Sequence, residues 1–214
     1  MPKVVDHDQR RVELVNATWR IIARHGIEGA TLREIATEAG FANGALKPYF
    51  GTKDDLLTFA FGHVFSQTNL RIERGAGGLT GLAALRAFCH EILPLDETRV
   101  SEARIVIPFW QKALTNAAKA QLHDESMLQW RLALLGHLAE ARATGEVETT
   151  IADTDVVGHL MNVLLGAQIT AALSPDAHAP EQLVAQLDGY LHLLATDRSV
   201  PRDAAGARER ARNG

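Results

Sequence analysis

Apolar residues return at helical spacing from one end of this chain to the other, and no run of period two is bounded by turn residues. That feature predicts an all-α fold. Val12, Val15, Trp19 and Ile22 give the stripe of a first helix that ends at Gly26. Leu32, Ile35, Ala36 and Ala39 repeat at i, i+3, i+4 and i+7 behind Thr31 and Glu34, which have capping-box spacing, and Gly40 is the expected stop. A very short helical piece over 43–50 follows, with Leu46 and Phe50 facing inward. Thr52 can then cap a strongly patterned helix carrying Leu56, Leu57, Ala60, Phe61, Val64 and Phe65, which the glycine cluster Gly75–Gly78 breaks. Further helices are predicted near 80–93, 98–115, 117–144, 153–173 and 179–195, with a kink or break at Pro108. Residues 196–214 have almost nothing to bury and read as a disordered tail.

Composition narrows the class. The chain has 214 residues, is 46% hydrophobic and 22% charged, and so is globular, with room for one large or two small domains. Its net charge is −4, and residues 1–55 hold eight basic and eight acidic side chains, so any nucleic-acid site must be local. Val156–Leu173 runs eighteen residues without a formal charge. His159, Asn162, Gln168 and Thr170 would all need partners in hydrocarbon, and neither flank has a Lys/Arg cluster, so a helix buried on two sides in a soluble assembly is expected rather than a membrane span. One cysteine, Cys89, and an N-terminus without an apolar stretch point to the cytoplasm.

The most informative stretch is Ala30–Leu57, which reads as helix, tight turn, helix: one helix braces on the DNA backbone while the next enters the major groove. Asn43, Gly44, Ala45, Lys47 and Pro48 form the outer face of the second helix, which is small, polar and positively charged. Ile21–Gly26, Gly29-Ala30-Thr31, Ile35-Ala36, Ala39-Gly40, Gly44-Ala45-Leu46, Tyr49-Phe50 and Lys53–Leu57 stand in one order and spacing. Over residues 8–66 this string resembles the DNA-binding domain of TetR-family bacterial transcriptional repressors.

The resemblance implies a three-helix DNA-binding domain over 8–66 joined to a larger helical ligand-binding and dimerisation domain over 79–195. By position it implies that Thr31, Tyr49 and Lys53 bind phosphates, with Arg33, Asn43, Gly44, Ala45 and Lys47 nearest the bases. Residue chemistry adds that Arg33 suits guanine, Asn43 suits adenine, and Lys47 suits guanine or phosphate. Taken singly, Arg33 and Lys53 would be ordinary surface charges and Tyr49 a core aromatic with an exposed hydroxyl. Two departures stand out: Lys47 replaces the family's usual aromatic, and Pro48 removes a recognition-helix amide at a cost of about 3 kcal/mol if that helix were continuous. Ala42 also stands where a Ser or Thr cap is common.

The resemblance further implies a homodimer through the last two long helices, a palindromic double-stranded operator and a small-molecule effector. Gly158 and Gly166 would allow close helix approach, and Leu183, Leu187, Tyr190, Leu191 and Leu194 would supply a matching stripe. Effector candidates are Phe88, Phe109, Trp110, Trp130, His137, Met161 and Asn162, with Met127, His90, Gln111, His159 and Gln168 beside them, although aromatics and methionines at helical spacing are more often plain core. Phe109-Trp110 after Pro108 resembles repressors of the betaine-regulator type and names no ligand. No hydrolase, metalloprotease or dinucleotide motif is present, and His123-Asp124-Glu125 reads as solvated surface, so no catalytic residue, metal or cofactor is expected. The alternative from another class is a helical small-molecule-binding or sequestering protein that has lost DNA affinity through Pro48 and the neutral charge of its N-terminal unit.

Overall fold

Thr31 has the extended backbone of a helix cap, and its hydroxyl accepts from Glu34 N at 3.1 Å while the Glu34 carboxylate takes the Thr31 amide at 3.0 Å. This closes the capping box and starts helix α1 (Leu32–Glu38). Gly40, at φ +75°, ends it: Gly40 N donates to Thr37 O and Phe41 N to Ala36 O, the pair of bonds that only a left-handed residue makes cheap. The structure, a computed structural model, describes residues 13, 14, 17, 18, 20, 21, 31–41 and 49–196. Val12, Val15, Trp19, Ile22, Asn43, Gly44, Ala45, Leu46, Lys47, Pro48 and the segment 197–214 lie outside the described residues. Residues 13, 14, 17, 18, 20 and 21 are helical, with Leu14, Ala17, Thr18 and Ile21 buried.

A second capping box, Thr52 with Asp55, opens α2 (Lys53–Ala76). There follow α3 (Gly81–Ile92), α4 (Glu97–Ala113), α5 (Ala117–Ala143), α6 (Asp153–Leu173) and α7 (Pro180–Leu194), with a single 3₁₀ turn at Pro175–Ala177. No strand occurs among the described residues, only an isolated bridge between Val147 and Ala195. Of the kink or break expected at Pro108, no break occurs: α4 runs through it as one helix. Proline costs α4 one amide, while Ile105, Val106 and Phe109 are buried around it and hold the helix in place.

Two hydrophobic cores share α2. The larger joins Ile72 of α2 to α3, α5, α6 and α7. The smaller gathers Leu14, Ala17, Ile21, Ile35, Ala36 and Phe50 around Leu56, Leu57, Ala60, Phe61 and Val64 of α2. Ile105, Val106 and Phe109 of α4 complete it, so a helix beyond the glycine cluster closes the core of the N-terminal unit.

The last helix differs from expectation. Leu183, Leu187, Leu191 and Leu194 are spent on the chain's own core, and Tyr190 is half-buried. The outward face of α7 instead carries Gln182, Ala185, Gln186, Gly189 and Leu193. Helix α6 is apolar and long enough to cross a membrane, with mean hydropathy 1.5. It buries 39% of its most apolar window against the rest of the chain, and Gln168 donates to the Ile92 carbonyl at 3.3 Å, so it is a core helix rather than a span.

Cys89 lies at the centre of the larger core, and burial pushes its thiol up to about 12. The native chain is therefore expected to give no colour with a disulfide reagent in mildly alkaline buffer, and one full equivalent once urea is added. Rapid labelling without urea would contradict this burial.

Candidate nucleic-acid interface and effector cavity

Four of the eight candidate DNA contacts are described. Thr31 and Arg33 flank the start of α1, both exposed, and the Arg33 guanidinium has no ion pair among the described residues. The Thr31 hydroxyl also donates to Glu34 at 2.9 Å, so a phosphate would compete with Glu34 for it. Tyr49 and Lys53, half-buried, flank the Thr52 cap. Asn43, Gly44, Ala45 and Lys47 are outside the described residues. In the first turn of α2 the N-terminal unit is tied to the body: Lys119 of α5, almost wholly buried, donates to Asp54 at 2.6 Å.

The body shelters a cavity of about 30 Å³ between α2, α3, α4, α5 and α6. Its apolar wall comes chiefly from Phe61, Phe65, Val106, Met127 and Trp130. Its charged side, Glu91, Arg99 and Glu102, belongs to a charge-balanced quartet that Arg71 completes from behind the lining. Arg71 grips Glu102 with two parallel bonds of 2.9 and 2.8 Å and also reaches Thr68 at 3.0 Å. Arg99 donates to Glu91 at 2.6 Å, and Arg71 Nε lies 3.3 Å from the same carboxylate. Burial pushes the Glu102 carboxyl above its ordinary range against the pull of Arg71. At Arg71, burial alone would lower the pKa, but the bond to Glu102 and its charge outweigh it, and the guanidinium is held more firmly protonated.

Two of the seven effector candidates, Trp110 and Trp130, line this cavity, together with Met127 and Gln168. The other five do not. Phe88 stands behind Trp130, its ring edge-on at 6.4 Å, and His137 lies behind Phe88. Phe109 points the other way and stacks on Phe61 at 3.9 Å. Met161 is enclosed in the larger core and Asn162 is on the exposed face of α6. The charged lining, Glu91, Arg99 and Glu102, was missed because such residues read as surface in isolation. The signal available was position: Glu102, Ile105, Val106 and Phe109 repeat at i, i+3, i+4 and i+7, which puts a carboxylate on the buried stripe.

Comparison with known proteins places both halves. Residues 14–58 match the bacterial regulatory proteins of the tetR family, and residues 82–196 match the C-terminal domain of BetI-type transcriptional repressors. The regulator PksA of Bacillus subtilis is 31% identical over 82% of this chain and 84% of its own length. The regulator BetI of Burkholderia thailandensis is 28% identical over 93% of this chain and 100% of its own. A transcriptional regulator from Rhodococcus superimposes with TM-score 0.75 at 28% identity, covering 86% of this chain and 95% of that one. A regulator from Saccharomonospora viridis, solved in complex with choline, superimposes with TM-score 0.80 at 17% identity over 88% and 99% of the two chains.

A domain matching the DNA-binding unit of bacterial regulators, joined to a helical body matching the C-terminal domain of transcriptional repressors, defines a one-component transcriptional regulator rather than an enzyme. The chain belongs to the TetR family of bacterial transcriptional regulators, with a C-terminal domain of the BetI repressor type.

Proposed function

We propose that the chain is a cytoplasmic homodimeric repressor that holds a palindromic operator and releases it when a small molecule enters the cavity. The units are residues 8–66 for DNA and 79–195 for effector and dimer, with 196–214 as a tail. Thr31, Tyr49 and Lys53 hold phosphates, and Arg33, Asn43, Gly44, Ala45 and Lys47 approach the bases. The observation that carries the switch is the double life of α4: Ile105 and Phe109 belong to the core of the DNA unit, while Arg99, Glu102 and Trp110 line the cavity. A cavity of about 30 Å³ is far smaller than an effector, so a bound molecule has to part α2 from α4 and α5. The part that moves is then the part that aims the DNA unit, and the effector acts through its preference for the displaced state. The Saccharomonospora complex with choline and the Bacillus subtilis FadR complex with stearoyl-CoA support a ligand-binding body, and their chemical difference leaves the ligand of this chain open.

Dimerisation uses the outward faces of α6 and α7. Built Cβ atoms at Gly158, Gly166 and Gly189 would meet nothing within 4 Å, and Leu173 and Leu193 are 77% and 79% exposed. Such a face buries well only against a second copy. Selection from a random duplex library at two salt concentrations tests the whole reading. The expected result is enrichment of a palindrome with half-sites about one helical turn apart or a multiple of it. The affinity should weaken with salt, and the double variant Arg33→Ala, Lys47→Ala should lower it at least about tenfold. Absence of enrichment at low salt would favour instead the helical small-molecule-binding protein that has lost DNA affinity, with Pro48 as the first suspect.

A further inference from the structure

Helix α5 begins with a lysine that is unfavourably placed on two counts. Lys119 stands in the first turn, where the helix dipole repels a cation, and its side chain is only 9% exposed. A lysine near a surface ordinarily extends its ammonium into water. This one reaches across to α2 and donates to Asp54 at 2.6 Å, its one carboxylate partner among the described residues. A buried pair of this kind adds little stability that an apolar side chain of similar length would not supply, so its contribution is to fix one element against another.

The element so fixed is the turn that opens α2, where Thr52 is the cap and Tyr49 and Lys53 are the phosphate candidates beside it. The same turn carries two carboxylates, which repel a phosphate. Asp55 is occupied locally, accepting from Thr52 N at 2.9 Å. The Asp54 carboxylate is instead drawn to Lys119, sixty-five positions along the chain, so the charge at this corner is balanced from the body. An open groove of about 490 Å³, walled by Tyr49, Phe50, Phe59 and Ala118, runs between the turn and the start of α5. Packing is loose there, and the ion pair sets the spacing. Further along, α5 supplies Met127 and Trp130 to the effector cavity, so the helix that holds this turn is also a cavity wall. Resting on the operator reading above, we propose that Lys119 is a positioning residue for operator binding: through Asp54 it holds the first turn of α2, and Lys53 with it, in register with a DNA phosphate.

The palindrome selected from the duplex library is the probe, titrated with the full-length protein at several salt concentrations. Lys119→Met keeps the buried stem and deletes the ammonium, so its urea midpoint should stay near the native one while its operator affinity falls at least about tenfold. The slope of log affinity against log salt should shrink by about one phosphate per half-site, a change that a purely structural role for Lys119 would not produce. Asp54→Ala is the second variant, made at a side chain 46% exposed and informative even if Lys119→Met fails to fold. It should weaken operator binding about threefold, although it removes a negative charge beside the DNA backbone. The double variant should match Asp54→Ala, because both lack the tie and neither leaves a bare carboxylate. Tighter binding by Asp54→Ala overturns the proposal, since Asp54 would then act only as a repelling charge. Native affinity and salt slope in Lys119→Met overturn it as well. Both outcomes leave the operator reading standing, whereas a library that yields no palindrome overturns the two together.

Discussion

A Phe109→Ala chain is expected to unfold in urea with about 4 kcal/mol less stability than the native one, a large share of the total for a chain of this size. Phe109 is 0% exposed and its ring lies on that of Phe61 at 3.9 Å, 8° from parallel. Around the pair stand Ile35, Ala36, Leu56 and Leu57, so the truncated side chain leaves a cavity at the junction of both units rather than at a yielding edge. Gln111→Ala, two residues on and exposed, should change stability by no more than about 0.5 kcal/mol. The consequence also reaches function. Phe109→Leu, which keeps most of the volume, should fold and still bind an effector, but the effector should release DNA less completely, because α4 then grips the N-terminal unit less firmly. A loss below about 1 kcal/mol for Phe109→Ala would mean that α4 does not complete that core.

What could be read in the sequence was chemistry confined to a few residues. The capping box of Thr31 with Glu34, the cap at Thr52 and the left-handed Gly40 are decided within one helical turn, and each is found as expected, the Asp55 carboxylate adding a reciprocal bond at Thr52. Helix limits agree to within one or two residues for the same reason, as at 153–173. What failed depended on packing between distant segments. Pro108 was expected to kink or break α4, and no break occurs, because Ile105 and Phe109 are gripped by helices far away in the chain. The leucines of α7 could have faced a second copy or their own core, since an amphipathic stripe states that it is buried and not against what. Phe88, Phe109, Met161, Trp110 and Trp130 are all aromatic or thioether residues at helical spacing, and only the rotation of each helix assigned two of them to the cavity. Arg71 and Glu102, thirty-one positions apart, show nothing individually that announces a bidentate pair.

That pair supplies the second large effect, and it is asymmetric. Arg71→Met should cost about 3 kcal/mol, whereas Glu102→Leu should cost about 1 kcal/mol, although each removes the same ion pair. The side chain of Glu102 is only 6% exposed, so without Arg71 its carboxylate loses both of its donors and has no water to replace them. Arg71 is 24% exposed and keeps Glu91 at 3.3 Å and Thr68 at 3.0 Å, so without Glu102 it remains solvated and partly paired. The double variant Arg71→Met, Glu102→Leu should recover most of what Arg71→Met loses, because an apolar pair of similar volume leaves no stranded charge. Urea unfolding of the three variants closes the cycle. Equal losses in the two single variants would show that the attraction between the charges, rather than the burial of Glu102, governs this site. A double variant worse than either would show that the quartet acts as one network, with Glu91 and Arg99 relying on the pair that was removed.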